Sequence, residues 1–162
     1  MWSLALHGGA GVISSKREPE KADKYIKGLR KALDAGRAVL EAGGLAVEAV
    51  EQTVRVLEDS ALFNAGRGSV LTYDGAHEME AAIMDGRNLD AGAVAGLLTV
   101  KNPISLARKV MENSPHVYLI GEGAENFADE AGVERVDPGY FFVLRRFEQW
   151  RDKVLEEDAE DE

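Results

Sequence analysis

Between residues 91 and 97 the chain runs through Ala91, Gly92, Ala93, Ala95 and Gly96, with only Val94 and Leu97 carrying bulk. A strand this poor in side-chain volume gains little from packing on its own and marks a place where another piece of backbone approaches closely. Some second layer must therefore press against it. That requirement excludes a simple helical bundle and an isolated hairpin, and it points to a layered fold.

The flanking patterns say what the layers are made of. Residues Trp2 to Leu6 read as a short buried strand closed by "HGGAG". Ala22, Tyr25, Ile26, Leu29, Leu33, Gly36 and Leu40 then recur at helical spacing, and the Gly43-Gly44 pair is a stop signal. A second helix follows with Ala46, Ala49, Val50, Val54 and Leu57 on one face, expected to lie against the first and against a sheet. The period then changes. "SVLT" leads through an Asp74-Gly75 hairpin signal into "HEMEAAIM", and "DGRN" makes another turn before the small-residue strand.

Asn102 before Pro103 is a helix start, with asparagine as cap and proline at the first helical position. "HVYLI" reads as a buried strand, and "GEGAENFADEAG" as a short helix closed by Gly132. A last amphipathic helix carries Phe141, Leu144, Phe147, Trp150, Val154 and Leu155. The expected class is α/β, a layered arrangement containing an antiparallel sheet. One domain over residues 1–155 is expected to be followed by an acidic tail over 156–162, where six of seven residues are Asp or Glu.

Composition narrows the partners. The formal net charge of -10 argues against nucleic acid. No apolar run approaches the roughly 18 residues of a membrane span, and "MWSLALHGGAG" lacks a basic n-region, so a cytoplasmic location is the default. The absence of cysteine removes disulfides, thiolate metal sites and a thiol nucleophile.

A search for chemistry finds no self-contained active site. There is no G-x-S-x-G elbow, and His7, His77 and His116 do not fall at metal-ligand spacing. His77 reads as a hairpin histidine at a sheet rim, alternating with Glu78 and Glu80. Those two glutamates, and Asp85 with Asp90 across a turn, are better read as exposed and turn-forming acids than as a catalytic dyad. The glycines of "GEGAEN" lack the third glycine of a dinucleotide loop. The stretch "LEDSALFNAGRGSVLT" is too apolar for an ordinary solvent loop, and its last glycine is not followed by the Lys-Ser/Thr pair of a phosphate loop. Either the chain is a binding or structural protein, or its reactive group lies on another polypeptide.

Six segments, in order along nearly the whole chain, resemble the plant-type L-asparaginase/isoaspartyl aminopeptidase family. They are "HGGAG" at His7, "LEDSALFNAGRGSVLT" at Leu57, "HEMEAAIMDG" at His77, "AGAVAG" at Ala91, "KNPISLAR" at Lys101 and "GEGAENFA" at Gly121. The resemblance implies an αββα sandwich of the N-terminal-nucleophile hydrolase type, with this chain as the α subunit and a β subunit from the same precursor completing the sheets. It implies that the catalytic threonine starts that β subunit after self-cleavage, with its own amine as base. It also implies a dimer of αβ units and a small-molecule substrate, asparagine or a β-aspartyl dipeptide, with no organic cofactor.

The resemblance further assigns a structural sodium ion to backbone carbonyls of Leu57, Glu58, Ser60, Phe63, Ala65 and Arg67. Hard cations take oxygen ligands, and a helix C-terminus running into a glycine loop offers them. Asn64 is implied to steady the nucleophile or a nearby water, although asparagine also suits a left-handed turn. Gly8 and Gly9 match a mobile loop beside the active site. Two other readings stay open: glycosylasparaginase, a relative acting on asparagine-linked sugars, and a non-catalytic module that uses the glycine loops for an anion.

Overall fold

A computed structural model describes residues 1–10, 16 and 18–160. Gly11 of "HGGAG" and the last two residues of the acidic tail lie outside the described residues. Two long helices come first, α1 (Pro19–Glu41) and α2 (Ala46–Glu58). The loop after α2 contains a single 3-10 turn at Gly66–Gly68. A hairpin of β1 (Met79–Met84) and β2 (Ala91–Leu97) follows. Then come α3 (Pro103–Asn113), β3 (Tyr118–Ile120), α4 (Gly121–Glu130), a 3-10 turn at Pro138–Phe141 and α5 (Leu144–Glu160).

The three strands form one sheet in the order β1-β2-β3, with β1 antiparallel and β3 parallel to β2. The small-residue strand is thus central, and α3 is the layer that lies close against it. A Cβ built on Gly92 would stand 2.6 Å from the Met111 backbone nitrogen and closer still to the Ala107 carbonyl, so the backbone of α3 occupies that space. Gly92, Val94 and Leu97 of β2 are buried, as are Met79 and Ile83 of β1. They meet Ile104, Leu106, Ala107 and Val110 of α3 and Phe141 in the main core. Among the described residues nothing covers the sheet's other face: Ala82 pairs with Ala93 and Ala93 with Tyr118 in one row, and Ala82 and Tyr118 are exposed.

The helical stop at Gly43 holds, with φ of 83° where other residues are strained. Helix α1 crosses α2 at Gly36, where an added Cβ would meet the Thr53 hydroxyl and come within 2.9 Å of the Ala49 carbonyl. A second, smaller core of Ala32, Leu57 and Phe63, with Leu6, Tyr25, Leu29 and Leu62 against it, ties α1 to the loop after α2. That cluster decides where the loop sits.

Several expectations need correction. Trp2 to Leu6 form no strand and are not buried, because no described strand lies beside them; only Leu4 and Leu6 turn inward, and Leu4 packs at Gly36. "SVLT" likewise joins no ladder, although the turn is real: Thr72 N donates to the Ala76 carbonyl at 2.8 Å. The strand "HVYLI" shrinks to Tyr118–Ile120 and is an exposed edge rather than a buried strand, with Tyr118 and Ile120 open on the uncovered face and Val117 exposed before it. Phe141 belongs to the 3-10 turn and not to the last helix, since Pro138 and Gly139 form a tight turn under an Asp137 side-chain cap. That helix continues to Glu160, into the segment expected to be a tail.

Candidate functional site

The loop from Leu57 to Gly68 folds back on itself around two glycines. Gly66 takes φ of 49°, and a Cβ there would lie 2.5 Å from the Glu58 carbonyl oxygen. A Cβ on Gly68 would lie 2.7 Å from the Ser60 carbonyl oxygen and closer to that of Phe63. Three of the six assigned oxygens therefore converge on the glycine pair. The carbonyls of Glu58, Ser60, Phe63 and Arg67 accept no hydrogen bond among the described residues, whereas Leu57 accepts from Ser60 N and Ala65 from Gly68 N.

Several of the loop's oxygens not assigned to a cation are occupied. Arg145 Nη2 donates to the carbonyls of Ala61 (3.2 Å) and Leu62 (3.3 Å), and Arg146 Nε to that of Gly68 (2.7 Å). This division, with arginines on one set of carbonyls and four of the six assigned carbonyls without a donor among the described residues, fits a hard cation that takes oxygen ligands at the negative end of α2. Among the described residues no group of three His, Asp or Glu side chains is placed to hold a metal. A cation here would rest on backbone oxygen.

The side chain of Glu58 was not legible as a site feature. It is 2% exposed, its Oε1 accepts from Ile104 N at 2.9 Å, and its Oε2 has no partner among the described residues. It caps the N-terminus of α3, the role expected of Asn102, whose amide instead donates to Asp59 Oδ1 at 3.1 Å. Burial raises the Glu58 pKa to about 8 against the smaller opposing effects of Ile104 and Asn102.

Asn64 is exposed at the loop's outer side, and its backbone is not in the left-handed region, so a special turn conformation does not explain the residue. Its Oδ1 accepts from Val70 N at 2.8 Å, which fixes the amide and leaves its N–H groups without a partner among the described residues. Gly8 and Gly9 come to the same place for different reasons. A Cβ on Gly8 would lie 2.7 Å from Leu29 Cδ2, while Gly9 has open space but φ of 105°. Gly9 N donates to His7 Nδ1 at 3.1 Å. Asn64, Gly8 and Gly9 line one cavity of about 780 Å³ with Lys21, Tyr25, Arg145 and Arg146.

The remaining sequence candidates stay apart from this cavity. His77 lies just before β1 and meets Ser69 Oγ at 3.0 Å, and burial holds its pKa below the ordinary histidine value. Glu78 and Glu80 are exposed. Asp85 is held down to about 2 by Arg87, whose side chain it binds across the turn, and Asp90 is bonded to Asn88. His116 donates its backbone N–H to Ser114. No acid/base dyad forms among these residues. The adjacent Arg145 and Arg146 were missed, because helical periodicity assigns charged positions to solvent and does not show which of them turn onto a loop.

A family description for asparaginase matches residues 1–162. A plant-type L-asparaginase of Thermococcus kodakarensis is 53% identical over 156 residues, covering 96% of this chain and 50% of the relative. An isoaspartyl peptidase of Escherichia coli is 50% identical over 147 residues, covering 90% of this chain and 46% of the relative. A probable isoaspartyl peptidase/L-asparaginase of Arabidopsis thaliana is 50% identical over 140 residues, covering 86% of this chain and 43% of the relative. The chain thus spans about half the length of the curated relatives it matches.

Proposed function

The chain belongs to the asparaginase family, and from that premise we propose that it is the α subunit of a self-cleaved amidohydrolase acting on L-asparagine, β-aspartyl dipeptides or both. The observation that carries the subunit reading is the sheet face along Ala82, Ala93 and Tyr118, which nothing covers among the described residues. An apolar face of this kind requires a second layer, and a β subunit supplying strands of an αββα sandwich would provide it.

In the proposed reaction a threonine at the start of the β subunit attacks the side-chain carbonyl. The C–N bond breaks, ammonia or an amine leaves with a proton, and water hydrolyses the resulting ester to release aspartate. This chain's part is positional. The anchored Asn64 amide offers N–H donors toward the nucleophile or a water, while Gly8 and Gly9 let backbone approach the substrate. The carbonyls of Leu57, Glu58, Ser60, Phe63, Ala65 and Arg67 would hold a sodium ion, whose charge fixes the loop that carries Asn64. A dimer of αβ units is the expected assembly. Among the described residues no helix is long and apolar enough to cross a membrane.

The test is denaturing mass and N-terminal analysis of the full-length protein containing this chain. Two polypeptides are expected, the second beginning with threonine, and replacing that threonine by alanine should abolish release of aspartate. A single uncut polypeptide that releases aspartate from neither substrate would refute the proposal.

A further inference from the structure

Arg145 and Arg146 begin α5 side by side in a chain with 29 acids against 19 Lys and Arg, yet neither contacts a carboxylate among the described residues. Arg37, Arg87, Arg108, Arg135 and Arg151 pair with an acid, while Arg30, Arg55 and Arg67 do not among the described residues, and of the unpaired arginines only Arg145 and Arg146 line this cavity. Instead of an acid, this pair has carbonyls: Arg145 spends Nη2 on Ala61 and Leu62, and Arg146 spends Nε on Gly68 and Nη1 on Gln149 Oε1. Neutral oxygens orient the guanidinium groups without cancelling their charge. Among the described residues Nε and Nη1 of Arg145 and Nη2 of Arg146 have no partner, so two oriented cations share one rim.

That rim belongs to the cavity of Asn64, Gly8 and Gly9, whose lining contains no Asp or Glu. Arg145 also borders the adjoining cleft, whose lining includes Glu18, Glu20 and Lys24, with Glu18 paired to Lys21. Between lie Tyr25 and Leu62, an apolar stretch suited to an aliphatic side chain. Resting on the proposed amidohydrolase reading, we infer that Arg145 and Arg146 form a receptor for the carboxylate of the residue that leaves a β-aspartyl dipeptide. Asparagine loses only ammonia and has nothing to place there. The pair therefore tilts the enzyme toward dipeptides with a free C-terminal carboxylate.

The experiment compares kcat/KM of the full-length protein for β-aspartyl-leucine, its C-terminal amide and asparagine. The wild type should prefer the acid over the amide. In Arg145→Gln/Arg146→Gln, whose amides keep an N–H donor without the charge, the acid-to-amide ratio should fall about ten-fold. Raising salt to about 1 M should erode the ratio in the wild type and leave the variant's unchanged. An acid-to-amide ratio that the double substitution does not move would overturn the inference. So would a parallel loss on acid and amide together with a lower melting temperature, since the arginines would then serve only the loop. A wild-type ratio near one, with the variant losing its hold on the β subunit, would assign them to a polypeptide carboxylate and equally overturn it. A cleaved wild type inert toward all three compounds would overturn the parent reading, and this subsite with it.

Discussion

Replacing Gly68 by alanine probes the loop directly, because the space a methyl would take is filled by backbone. The new Cβ would stand 2.7 Å from the Ser60 carbonyl oxygen, 3.0 Å from the Ala61 carbonyl carbon and nearer still to the Phe63 oxygen. An ordinary carbon-oxygen contact is about 3.3 Å or more, so both oxygens would have to retreat by at least about half an ångström. Neither belongs to a side chain that can rotate away. Overpacking of this kind costs about 1–3 kcal/mol. At about 2–4 °C per kcal/mol for a protein of this size class, the melting temperature should fall by several degrees. Because Ser60 and Phe63 are two of the proposed sodium ligands, the stabilisation by sodium over choline should shrink as well. The assay is thermal unfolding of the full-length protein in each salt, with Gly123→Ala as control, since nothing lies within 4 Å of a Cβ there. A Gly68→Ala protein that melts within about 1 °C of wild type and keeps its full sodium response would refute the carbonyl-cradle reasoning.

Two further outcomes are expected. Asn64→Ala removes the amide N–H donors and the acceptor for Val70, and should lower kcat for asparagine about a hundred-fold while the subunits still assemble; kcat within about two-fold of wild type would remove Asn64 from the site. Glu58, with its folded pKa raised from 4.5 to about 8, binds more protons folded than unfolded between those values. Its contribution is therefore complete below pH 4.5 and lost as pH rises through about 8, with an upper bound of about 5 kcal/mol. Glu58→Gln keeps an oxygen for Ile104 and should flatten that decline, measured as urea midpoints at acid and alkaline pH in choline buffers; parallel pH profiles would contradict it.

Local chemistry made much of this molecule readable from residue order. The helical spacing from Ala22 to Leu40 and the Gly43 stop became α1, and the Asn102-Pro103 pair opened α3. The poverty of side chains in Ala91 to Gly96 correctly demanded a close layer, since only backbone-to-backbone approach explains glycine at position 92. Each of these signals is carried by a few adjacent residues.

Where the outcome depended on distant partners, sequence reading fell short. Apolar composition marked Trp2–Leu6 and "HVYLI" as buried strands, yet among the described residues Trp2–Leu6 meets no strand, and the edge strand within "HVYLI" pairs with β2 but leaves Tyr118 and Ile120 uncovered. Asn102 carried the cap signal, but Glu58, 46 residues earlier in the chain, took the Ile104 N–H. Whether an arginine faces water or a loop carbonyl is likewise invisible to periodicity; the fold brought Arg145 and Arg146 onto residues about 80 positions away and left their charge facing the cavity. Sequence by itself determined the long helices, the Gly43 stop and the small-residue strand, because helical periodicity and glycine conformation are local properties. Tertiary structure alone decided which carbonyls stayed free, which carboxylate was buried and which cations went unpaired, because burial and charge pairing are settled between segments far apart in the chain.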